Sequence, residues 1–152
     1  MNNVAFSLAE KSGLLRGLDS EALAAVKQAA IVRHVEKNAK LLKQGDAPDH
    51  LFVVIEGRFK MTTLNRQGVQ KILRFMEVGD AIGCAAVFRN FPYPASATAT
   101  TNSTALSWNA SHFNQLVRLY PQLATNALAM LGGRAEELVE RVHEVARGSV
   151  EQ

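Results

Sequence analysis

Only one cysteine, Cys84, occurs in 152 residues. A disulfide within one chain is therefore excluded, and so is a four-cysteine iron–sulfur cluster carried by one chain. No apolar run reaches the roughly 20 residues that a membrane-spanning helix needs. The N-terminal stretch from Met1 to Phe6 lacks a basic segment followed by a greasy one, so a secretory signal is not expected. Catalytic signatures are missing as well. The chain has no Gly-x-Ser-x-Gly elbow, no Gly-x-x-x-x-Gly-Lys phosphate loop and no His-Glu-x-x-His zinc helix. These absences leave ligand binding or regulation rather than catalysis, in a cytoplasmic protein. What is present is ordinary for one globular domain: 47% hydrophobic residues, 20% charged, and a net charge of +3. That mild basicity describes a solvated surface better than a nucleic-acid footprint.

The periodicity divides the chain into three parts: a helical segment over 1–30, a β core over 31–108, and helices over 109–152. A helix opens at Leu18-Asp19-Ser20-Glu21, where Asp19 or Ser20 can accept from the free N–H groups of the first turn. Leu14, Leu15 and Leu18 form an apolar lead-in that should tuck under the domain. From Ile31 onward, short β segments alternate with turn residues. Leu51-Phe52-Val53-Val54-Ile55 is a continuous apolar strand, and Asn65-Arg66-Gln67-Gly68 is predicted to turn a hairpin. Alternating Ala and Thr over Ala95 to Thr101 predict a strand with small side chains on one face. Asn109 or Ser111 can cap the next helix, and Pro121 suits the first turn of the last one. Strands flanked by helices at both ends predict an α+β fold, a sandwich or roll.

In the last helix, Leu128, Leu131, Ala135, Leu138, Val142 and Val145 follow at spacings of 3, 4, 3, 4 and 3. This heptad seam predicts a homodimer paired through that helix. Gly132-Gly133 inside it would let another backbone or a ligand approach closely.

Five glycines carry a more specific signal. Gly45, Gly57, Gly68, Gly79 and Gly83 are spaced 12, 11, 11 and 4. Together with Gln44-Gly45-Asp46, Leu51 to Gly57 and Gly79-Asp80-Ala81-Ile82-Gly83, they resemble the sensor domain of the Crp/Fnr transcription-regulator superfamily. The resemblance covers about Leu14 to Arg147. It implies an antiparallel β-roll of the cyclic-nucleotide-binding type, with short N-terminal helices and a long C-terminal dimerisation helix. In nucleotide-binding members, a Glu beside the last glycine holds the ribose and a later Arg-Ser pair holds the cyclic phosphate. Here Cys84 stands at the Glu position and Pro94-Ala95 at the Arg-Ser positions, with Arg89 five residues too early. Pro94 and Ala95 offer neither a side-chain donor nor a positive charge, so a cyclic nucleotide is not the expected ligand. A gap that brings Arg89 or Ser96 into the phosphate site would overturn that reading.

The stretch from Phe88 to Ala97 resembles in texture the same region of dissimilatory-nitrate-respiration regulators, which implies haem as cofactor and nitric oxide as signal. None of His34, His50, His112 and His143 is singled out as an iron ligand, and each reads first as a surface or hydrogen-bonded residue. The expected effector pocket lies between the roll and the long helix. Gly83, Cys84, Ala85, Ala86, Val87 and Phe88 would line it, with Pro94, Ala95, Ser96 and Ala97 beside them. Leu131, Arg134, Ala135 and Leu138 would face it from the helix, with Arg134 placed to meet a carboxylate. DNA would be reached through a helix-turn-helix that follows the long helix in the family. The sequence ends at Gln152 without one, as a sensor fragment or a stand-alone sensor would. The rival readings are a nucleotide-binding regulatory module and a cupin-like enzyme. The enzyme would need a metal cluster that His34 and His50 alone do not supply.

Overall fold

The structure, a computed structural model, describes residues 3–131. Two four-stranded antiparallel sheets stack face to face, and helices cover the outer face of one of them. The first helix, α1 (Asn3–Glu10), is followed by a 3₁₀ turn at Gly13–Leu15 and by α2 (Ser20–Ala29). The strands come next: β1 (Ile31–Val35), β2 (Lys40–Leu42), β3 (His50–Glu56), β4 (Phe59–Leu64), β5 (Gln70–Met76) and β6 (Ala81–Ile82). A short helix, α3 (Cys84–Arg89), precedes β7 (Ser96–Ala99), β8 (Ser103–Asn109) and α4 (Ala110–Leu119). Residues 122–131 are helical. One sheet has the order β1-β8-β3-β6 and the other β2-β7-β4-β5. This is the α+β roll that the sequence predicts.

Local signals explain most element boundaries. Asp19 caps α2 by accepting from the Ala22 N–H at 2.9 Å, and Asn109 caps α4 by accepting from the His112 N–H at 3.2 Å. The hairpin turn closes on Asn65, whose side chain accepts from the Gln67 and Val69 N–H groups, both at 2.9 Å. All five register glycines hold φ between 80° and 94°. Gly57 shows the requirement most sharply: a Cβ there would lie 2.8 Å from the Ser103 Cα, so strand β8 can pass the corner only if the side chain is absent. Two elements go beyond the sequence reading. The predicted first helix begins at Leu18, whereas α1 precedes it and buries Phe6 and Ala9. The Cys84–Arg89 stretch is a helix of six residues.

The apolar run of β3 follows from its place in the layers. Leu51, Val53 and Ile55 face the helices, while Phe52 and Val54 face the second sheet. A strand buried on both faces reads as a continuous hydrophobic run. The helix-side cluster holds Trp108, Phe113, Leu106 and Leu123 together with Leu14 and Leu15 of the lead-in. Trp108 donates to the Val26 carbonyl at 2.9 Å, and its ring meets Phe113 edge-on at 5.9 Å. Asn126 ties residues 122–131 to the N-terminal turn by donating to the Leu14 and Arg16 carbonyls, both at 2.8 Å. The cluster between the sheets is built of smaller residues, among them Ala86, Ala97, Ala99 and Ala105. The predicted Ala/Thr strand is β7, with Ala97 and Ala99 turned inward and fully buried.

Candidate functional site

A cavity of about 160 Å³ opens between the end of the second sheet and the segment that follows the last register glycine. Leu42 of β2 and Met61 of β4 form one wall, and Leu73, Arg74 and Met76 of β5 form another. Ala81, Ile82, Gly83, Ala85 and Ala86 close a third side, and Tyr93, Pro94 and Ala95 the fourth. Arg74 is the only charged residue among these.

Two devices hold the floor. Gly83 has φ of 86° and begins α3; a Cβ there would press on the His50 carbonyl oxygen at 3.2 Å and on the Tyr93 ring at 3.3 Å. Tyr93 pins the Pro92-Tyr93-Pro94 loop. Its hydroxyl donates to the His50 carbonyl and accepts from the His50 N–H at 3.0 Å. Its backbone N–H donates to the Asp46 carbonyl at 3.0 Å, and its carbonyl accepts from the Gly45 N–H at 2.8 Å. The phenol's pKa is raised above the ordinary tyrosine value. Burial is the main cause; the bond to His50 partly offsets it, and the charges of Asp49 and Asp46 add to it.

The predicted pocket residues separate into three groups. Gly83, Ala85, Ala86, Pro94 and Ala95 line the cavity. Cys84, Val87 and Phe88 do not: helical spacing turns them to the opposite side of α3, where Cys84 and Val87 join the helix-side cluster and Phe88 packs against Phe113. Ser96 and Ala97 follow Ala95 into β7 and are not in the cavity wall. The Ser96 hydroxyl accepts from the Gln44 N–H at 2.9 Å, and Ala97 is buried between the sheets. Of the helix-side residues, Leu131 is half-buried and is not in the cavity wall. Arg134, Ala135 and Leu138 lie outside the described residues, as do Val142, Val145, His143 and Gly132-Gly133. Leu128, the first seam position, is 70% exposed.

Sequence reasoning missed Leu42, Met61, Leu73, Arg74, Met76, Ala81, Ile82 and Tyr93 as wall residues. All but Tyr93 lie on paired strands, and Tyr93 joins through a contact 43 residues away in sequence. The two residues that a shifted alignment would bring into a phosphate site are otherwise engaged. Arg89 sits over the Phe91 ring at 5.4 Å on the surface, and Ser96 holds Gln44. Among the described residues no histidine side chain lines the cavity. His34 hydrogen-bonds Thr104 at 3.2 Å elsewhere, and no group of three or more His, Cys, Asp or Glu suited to a metal ion occurs among the described residues.

Among the described residues the walls can enclose a small apolar body next to the Arg74 cation. Residues 32–120, more than half of the chain, match the family described as the cyclic nucleotide-binding domain. A probable transcriptional regulator, flp of Lacticaseibacillus casei, is 30% identical over 138 residues; the match covers 90% of this chain and 62% of that protein, so the chain spans under two thirds of its relative. Two solved structures share the fold. Thermus thermophilus catabolite activator protein superposes with a TM-score of 0.81 at 22% identity, over 89% of this chain and 63% of that one. The sensor domain of the transcriptional regulator DNR from Pseudomonas aeruginosa superposes with a TM-score of 0.76 at 21% identity, over 88% and 90% respectively. No helix among the described residues is long and apolar enough to cross a membrane. The chain belongs to the cyclic nucleotide-binding domain family.

Proposed function

We propose that this chain is the effector-sensing and dimerisation domain of a Crp/Fnr-type transcription regulator, controlling an attached DNA-binding domain through a non-nucleotide ligand held in the cavity beside Gly83. The observation that carries this reading is the content of the nucleotide-holding positions. Cys84 is turned away into the core, and Pro94 and Ala95 present only hydrocarbon to the cavity. Pro94 and Ala95 give a cyclic phosphate neither the cation nor the hydroxyl that would offset its lost water at those positions. The apolar walls instead suit a compact hydrophobic ligand. Pairing through Leu128, Leu131, Ala135, Leu138, Val142 and Val145 gives a route from cavity to DNA. A ligand that prefers one packing of the paired helices shifts the dimer between two states.

Haem, which the resemblance to nitrate-respiration regulators implies, does not fit the walls present here. The cavity is about 160 Å³, well below the roughly 300–1,000 Å³ of cofactor sites. Among the described residues its candidate iron donors are the weak thioethers of Met61 and Met76 and the already bonded hydroxyl of Tyr93.

Calorimetric titration of the chain with cyclic AMP, beside an absorption spectrum after haem addition, tests the reading. The expected outcome is no saturable heat from the nucleotide and no Soret band at one equivalent per chain. Saturable micromolar binding of cyclic AMP would overturn the non-nucleotide reading, and a stoichiometric Soret band would reinstate haem.

A further inference from the structure

Arg74 occupies an unexpected register. In the β4–β5 pair, Phe59 faces Met76, and both are buried against the opposite sheet. Two residues along, on the same face by the strand's two-residue period, Met61 faces Arg74. Met61 packs against the cluster between the sheets, so Arg74 stands at an inward position of an apolar layer. The pairing then slips. The next partners are Thr62 and Ile72, which leaves Leu73 as the extra residue of a bulge. The bulge brings the consecutive residues Leu73 and Arg74 into the same cavity wall, where a regular strand would send them to opposite faces.

Among the described residues Arg74 makes no ion pair or hydrogen bond. Arg58 on the same hairpin, by contrast, lies 3.5 Å from Glu77 and stacks on Phe75 at 3.9 Å. Among the described residues no carboxylate lines the cavity that Arg74 borders. Its side chain is solvent-exposed, at the mouth rather than the floor. A guanidinium there can meet a carboxylate through two parallel N–H donors while the ligand's body enters the apolar space.

We propose that Arg74 binds the carboxylate of a small apolar monocarboxylic acid whose hydrocarbon body fills the cavity. The inference rests on the reading of this cavity as the effector site, and names the class of effector. One cation matches one negative charge. The volume sets the body: an apolar cavity of about 150 Å³ accepts benzene, and this one measures about 160 Å³. A nucleoside is larger, and its hydroxyls would find no partners among these walls.

The test is calorimetry of the chain with phenylacetate and with its neutral isostere phenylacetamide, on wild type, Arg74→Gln and Ala85→Phe. Phenylacetate is expected to bind one per chain and phenylacetamide roughly ten- to hundredfold more weakly. Arg74→Gln should weaken phenylacetate by the same factor, leave the amide unchanged, and keep the wild-type circular dichroism and urea midpoint, as suits an exposed side chain. Ala85→Phe, which occupies the cavity, should remove both ligands. Absence of saturable phenylacetate binding overturns the proposal, as does undiminished binding to Arg74→Gln. Equal binding of acid and amide, lost together in Ala85→Phe, also overturns the role of Arg74 but leaves the effector cavity standing; saturable cyclic AMP binding is the separate result that overturns the non-nucleotide reading on which the proposal rests.

Discussion

The two hydrophobic clusters on either side of β3 are made of the same kind of backbone and of very different side chains. On the helix side, Trp108, Phe113, Leu106 and Leu123 are at most 1% exposed and interlock with residues from α1, α2 and α4. Between the sheets, Ala86, Ala97, Ala99 and Ala105 take positions where larger residues would meet, and the cavity opens at the end of that layer. Interiors are normally packed close to crystal density. A space of this size is therefore maintained by the choice of small residues and by the loop that Tyr93 pins. The contrast assigns stability mainly to one face of β3 and ligand capacity to the other.

The largest effect expected from breaking this contrast is on the helix side. Trp108→Ala removes a fully buried ring and leaves the Val26 carbonyl without its donor. A loss of about 3–5 kcal/mol is expected in urea unfolding. Met61→Ala, half-buried beside an existing cavity, should cost under about 2 kcal/mol. Similar losses for the two variants would mean that the layer between the sheets is as tightly packed as the helix side.

Next in size is Tyr93→Phe, which leaves the His50 N–H and carbonyl unpaired at the cavity floor and should cost about 1–3 kcal/mol. The same hydroxyl sets an alkaline dependence. Its folded-state pKa is raised by burial, so above pH of about 10 the unfolded chain releases the phenolic proton while the folded chain keeps it. The contribution is complete below that pH and is lost as pH rises through the folded-state value. Thermal melts of wild type should therefore fall more steeply above pH of about 10 than those of Tyr93→Phe. Parallel alkaline slopes would show that the phenol is not held in this way.

Much of this was legible in the sequence, because the signals were local. The glycine register marks corners whose positive φ needs no partner to be recognised. Asp19 and Asn109 cap helices one turn away, and the two-sided burial of β3 is written as an unbroken apolar run. The parts that were not legible depend on pairing at a distance. Helix α3 begins at Gly83 with no capping side chain and lasts six residues, too short for a periodicity, so Cys84, Val87 and Phe88 read as pocket residues when they face the core. Arg74 joins the cavity because of a bulge, and a bulge exists only relative to the neighbouring strand. Tyr93 reads as one member of a Pro-Tyr turn until its hydroxyl is seen on the His50 backbone. The heptad seam, by contrast, is plain in the sequence, yet beyond Leu131 it lies outside the described residues.

The division of labour between the two clusters is tested most directly by methyl-resolved NMR of the chain titrated with phenylacetate. Shifts are expected in the methyl groups of Met61, Met76, Leu42 and Ala85, with those of Leu106, Leu123 and Leu14 unmoved. Perturbations centred on the helix-side leucines, with the cavity methyls silent, would contradict the account.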